Sequence, residues 1–128
     1  MNTITKLKPS ATVSALPTFQ QAVAMALAKA EKDLKNIINI RCADEHWRDE
    51  DVDVDCAVEL ALSHVQHMKA ANFADFDHFS TDWYKAAAAV NLGLKVFSRN
   101  ECSYMRSLAD AGAMFRQTAD MVEFLETA

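Results

Sequence analysis

Two glycines and two prolines are all the turn punctuation that 128 residues carry. Tight hairpins and sheet corners draw heavily on glycine, proline and asparagine. A chain this poor in Gly and Pro and rich in Ala, Leu, Met and Lys is therefore confined to long helices joined by short connections. Hydrophobic residues make up 51% of the chain. At this length that is enough for one continuous core without metal or disulfide staples.

The apolar residues fall at helical spacing in four segments. In the first, "TFQQ" has the form of a capping box, with Thr18 as cap and Gln21 reaching back just after Pro17. Val23, Leu27, Ala30, Leu34 and Ile37 follow at steps of three and four, predicting a helix that ends near Ile40. The second stripe runs through Val54, Val58, Ala61, Val65 and Met68, with Asn72 as a stop. A third begins at "STDW", where Ser80 can cap, and places Trp83, Ala87, Val90, Leu94 and Phe97 on one face. Ser98 and Glu101 form another capping box, before Met105, Leu108, Gly112, Phe115, Ala119 and Val122. The expected fold is all-α: about four amphipathic helices in a compact bundle or irregular helical array. Phe73, Phe76 and Phe79, three residues apart, are expected to close one end of the core; the competing reading is an exposed aromatic ridge. Met105, Met114 and Met121 raise the same choice between core filler and contact surface.

Residues 1–17 mix Thr, Ser, Lys and Pro without a helical period and read as a mobile N-terminal arm, with residues 18–128 as one helical domain. Apolar runs such as Ala86 to Val90 are far too short to span a bilayer, and the N-terminus lacks the apolar segment of a signal peptide. Three cysteines, Cys42, Cys56 and Cys102, follow no disulfide-framework spacing. The expectation is a cytoplasmic protein with no membrane contact.

Charge is unevenly spread. Residues 1–43 hold six Lys and Arg against two acids, residues 44–59 hold eight acids against Arg48, and the remainder holds eight acids against six bases. The segment balances are +4, −7 and −2, and their sum is the formal net charge of −5. No basic cluster is joined to an aromatic platform and the overall sign opposes phosphate, so direct nucleic-acid recognition is not expected.

The acidic stretch "DEHWRDEDVDVDC" invites three explanations. An EF-hand loop begun at Asp51 would need glycine at its sixth place and glutamate at its twelfth; these are Cys56 and Leu62. A register begun at Asp49 fails in the same way. A helix start is the plainer reading, with Asp51 or Asp53 as cap and later acids near the positive end of the helix dipole. One cap and one or two dipole charges leave most of the eight carboxylates unexplained, and such crowding costs stability unless it is solvated or matched. The surplus suggests a docking face for a basic partner, formed by Asp49, Glu50, Asp51, Asp53 and Asp55 with Trp47 as anchor.

His64 and His67 lie three apart on the second helix, where Leu60, His64, His67 and Ala71 form a half-polar stripe beside the core stripe, and Asp75, Asp77 and His78 follow soon after. The ligand types suit zinc, but the chain has no CxxC, no HExxH and no Glu-x-x-His pair. His64, His67, Asp75 and His78 are thus the candidates of a secondary reading, a metal-binding or enzymatic bundle, and no cofactor is expected. No cysteine sits in a nucleophile elbow, and two isolated glycines cannot make a phosphate loop. The leading expectation is a non-enzymatic interaction protein, acting as adaptor, regulator or inhibitor. Its acidic surface would meet a basic, perhaps nucleic-acid-binding, face of a protein partner, and self-association is left open. The caps and stripes are generic to helical proteins and assign no family.

Overall fold

The structure is a computed structural model that describes residues 16–43, 52–96 and 103–127. Among these residues four helices follow one another: α1 (Phe19–Ala43), α2 (Val52–Met68), α3 (Phe76–Val96) and α4 (Ser103–Thr127). Each packs on its sequence neighbours and α1 also packs on α4, which closes a four-helix ring. The expected all-α bundle is the observed architecture. The arm expected over residues 1–17 falls mainly on residues 1–15, outside the described residues.

The capping box at α1 forms as the sequence predicts. The Gln21 amide donates to Thr18 Oγ1 at 3.1 Å, and Thr18 N–H donates to Gln21 Oε1 at 3.0 Å. Two of the helix's orphan donors are satisfied reciprocally. The helix runs on to Ala43, three residues past the expected end.

α3 begins at Phe76, four residues before the Ser80 start read from the sequence. Asp75 is the cap: its Oδ1 accepts the His78 amide at 2.9 Å and contacts His78 Nδ1 at 2.7 Å. Ser80 instead points its hydroxyl back to the Asp77 carbonyl at 3.2 Å, as serine does inside a helix. The earlier start places Phe76, Phe79 and Trp83 on one buried face, and Glu126 of α4 accepts the Phe76 amide at 2.6 Å. α2 ends at Met68, short of Asn72. The Ser98–Glu101 capping box and Phe97 lie outside the described residues.

The core joins all four helices. Leu34, Val58, Val90 and Phe115, one from each predicted stripe, are completely buried. Phe73, Phe76 and Phe79 are buried too, so they close the end of the core and form no exposed ridge. Phe73 meets Phe79 edge-on at 5.7 Å, Phe79 stacks on Trp83 at 5.2 Å, and Trp83 meets Phe115 at 4.5 Å. The Trp83 indole would be costly to bury unpaired; its Nε1–H donates to the Phe115 carbonyl at 2.9 Å. α3 and α4 approach closely at Gly112, where an added Cβ would stand 3.4 Å from Leu94 Cδ1. Met114 is core, whereas Met121 is exposed. No helix among the described residues is long and apolar enough to cross a membrane.

α1 and α2 are also fastened by charge. Glu31 accepts from Lys69 at 2.6 Å and from Gln66 at 3.2 Å, and Lys35 stands 3.4 Å away. These partners, Lys69 first, hold the Glu31 carboxyl at about 2 against an ordinary 4.5. A depressed carboxylate stabilises the fold fully above its ordinary value and loses that contribution as pH falls towards the folded one. Between pH 4.5 and 2 the urea midpoint of the native chain is therefore expected to fall more steeply than that of Glu31→Gln. Parallel profiles would remove Glu31 from the acid response.

Candidate partner-binding surface

Eight residues, 44–51, connect α1 to α2 and carry most of the surplus acid. Trp47, Asp49, Glu50 and Asp51 lie outside the described residues. For Asp53 and Asp55 the structure describes the backbone, which is helical from Val52 onward. That start makes Asp51 the residue just before the helix and places Asp53 and Asp55 in its opening turns, where the partial positive charge of the helix end favours carboxylates. One turn further, Cys56 and Glu59 are exposed, and beside them Leu60 is 62% exposed. An apolar side chain thus stands in water next to the acidic run, a feature that sequence reasoning assigned only to a half-polar stripe. α2 turns its other side inward through Ala57, Val58, Ala61 and Val65.

The histidines are placed differently from one another. His64 is partly buried, and its Nε2 atom is buried without a hydrogen-bond partner. His67, one turn on, is exposed. Past the α2–α3 turn, His78 and Asp75 pair with each other in solvent. The Asp75 carboxyl is held below its ordinary value, first by the His78 amide and then by the ring, and the same carboxylate raises the His78 imidazole. A shallow hollow of about 510 Å³ beside them is lined by Asn72, Phe73, Asp77, His78, Thr81 and Asp82, among others. Among the described residues, no three His, Cys, Asp or Glu side chains are grouped so as to hold a metal ion. His64 and His67 are therefore not gathered with Asp75 and His78 into one ligand set. The expected result of metal analysis on untagged protein is less than stoichiometric zinc or iron. One tightly held equivalent, lost in His64→Ala, would contradict that expectation.

Comparison of the chain with protein-family models, with curated proteins and with solved structures gives no match.

Proposed function

We propose that this protein is a non-enzymatic interaction module whose acidic 44–59 surface docks on a basic face of a partner protein, as an adaptor, regulator or inhibitor. The observation that carries the reading is the −7 balance of this stretch at the junction of two helices of a closed bundle. Its eight carboxylates exceed what one helix start can use. Charge of one sign concentrated on a small body speeds encounter with an opposite surface and sets orientation. In this reading Trp47 is the aromatic anchor, and Asp49, Glu50, Asp51, Asp53 and Asp55 are the charges that meet the partner. Glu59 and Leu60, which follow in α2, are exposed.

A basic face that normally holds nucleic acid is one target such a surface fits. The protein would then occupy that face by charge mimicry and exclude the nucleic acid. Affinity capture from the native host, read by mass spectrometry, identifies the partner. The reading expects a captured protein with a basic patch whose complex weakens with added salt.

A further inference from the structure

A groove of about 530 Å³ lies between α1 and α4. Ser107, Ala111 and Ala113 line it from α4, and side chains this small leave the space beside Asp33 and Asn36 unfilled. The charged residues of the lining are Lys29 against Asp33 and Asp110, one base to two acids. Lys29 and Asp33 pair with each other at 3.2 Å, which leaves Asp110 without an ion pair among the described residues. Two exposed methionines carry the walls of the groove towards one end of the bundle. Met25 precedes Lys29 by about one turn and is 56% exposed, and Met121 follows Gln117 by about one turn and is 42% exposed. At that end α1 starts and α4 stops: Gln20 of α1 donates to the Phe73 carbonyl at 2.6 Å and Glu126 of α4 accepts the Phe76 amide, so both helices meet the same turn. Residues 1–15 join the fold there, through Leu16.

The chemistry of residues 1–15 suits this groove. They hold Lys6 and Lys8 with no acid, the branched apolar side chains Ile4, Leu7 and Val13, and mostly small residues from Pro9 to Ala15. Their length suits it too. Phe19 to Asp33 is fourteen positions, about 21 Å along the helix, while the eight to ten links from Leu16 back to Lys8 and Lys6 span up to about 26 to 36 Å. The two ammonium groups can therefore reach the acids of the lining, and Val13 can reach Met25 and Met121. The acidic 44–59 stretch follows Ala43, about 36 Å from Phe19, at the limit of the same reach. We infer that the α1–α4 groove is the docking site of this chain's own N-terminal segment, with Lys6 and Lys8 matched to Asp110 and Asp33 and the apolar residues covering the two methionines. The covalent tether favours this occupant, because a segment attached at the end of the groove is held at an effective concentration on the order of millimolar. Any partner that uses the groove must displace it.

The experiment reads the methionine methyl signals of the full chain by nuclear magnetic resonance in low salt. Met25, Met114 and Met121 report on the groove and its end, and Met68, buried in α2, is the internal control. Reversing the arm charges with Lys6→Glu and Lys8→Glu should lower the ratio of docked to free segment roughly fivefold or more and shift the three groove signals, with Met68 unmoved. Adding Asp110→Lys to that variant restores opposite charges and should return the signals towards their native positions. Deleting residues 9–15 keeps Lys6, Leu7 and Lys8 but cuts the reach from Leu16 to Lys6 to about 11 Å, so the groove signals should again take their undocked positions. All of these shifts should be independent of protein concentration, since segment and groove belong to one molecule. Groove signals that ignore both arm variants, a charge reversal that Asp110→Lys does not rescue, or shifts that vanish on dilution would each overturn the inference.

Discussion

Phe115→Ala is expected to cost the fold about 3–5 kcal/mol, a large share of the about 5–15 kcal/mol by which a domain of this size is stable. The ring is completely buried and is the member of α4 that meets Trp83, with centroids 4.5 Å apart. Truncation removes its transfer energy and leaves a cavity bounded by residues that cannot all collapse into it. The backbone partner survives, since the Phe115 carbonyl that accepts the Trp83 Nε1–H belongs to the main chain. The loss should therefore show in the urea midpoint and in a shifted Trp83 emission, with helical content largely kept at low denaturant. Met121→Ala on the same helix, at an exposed position, should move the midpoint by less than about 0.5 kcal/mol. Equal effects at the two positions would mean that the assigned face of α4 is wrong.

The helices were legible because their signal is local and repeated. Leu34, Val58, Val90 and Phe115 could be chosen from spacing alone, and all four are buried. Thr18 with Gln21 was readable because a capping box is contained in four residues. The start of α3 was not, because two groups compete to cap it. Ser80 stands before a strong helical run, but an aspartate at position 75 takes the His78 amide and lets Phe76 and Phe79 join the buried face. The contact that decides this lies across the bundle, where Glu126 accepts the Phe76 amide over a separation of 50 residues. Long-range pairs of this kind, like the Trp83 bond to Phe115, leave no periodic trace. The exposed Leu60 beside the acids was likewise hidden, since a leucine on a half-polar stripe reads equally well as covered or open.

Neutralising the acidic connection should separate binding from folding. In Asp49→Asn, Glu50→Gln, Asp51→Asn the side chains keep their size and much of their hydrogen bonding while three negative charges disappear. Self-repulsion falls, so stability should be unchanged or slightly higher. The complex with the captured partner should weaken about tenfold or more, with most of the loss in association rate if the charges steer encounter. Trp47→Ala should weaken it further by slowing nothing but speeding dissociation, as loss of a buried anchor does. Cap loss at Asp51 is the competing effect. It would appear as a stability decrease of about 1 kcal/mol with binding intact.

The most direct measurement is therefore the dissociation constant of the captured partner for the native chain and for the triple variant, each at low and moderate salt. The account predicts that the native complex weakens with salt, and that the triple variant binds about tenfold more weakly with a shallower salt dependence. Equal affinity of the two chains with no salt dependence in either would make the acids a solvated helix start and nothing more.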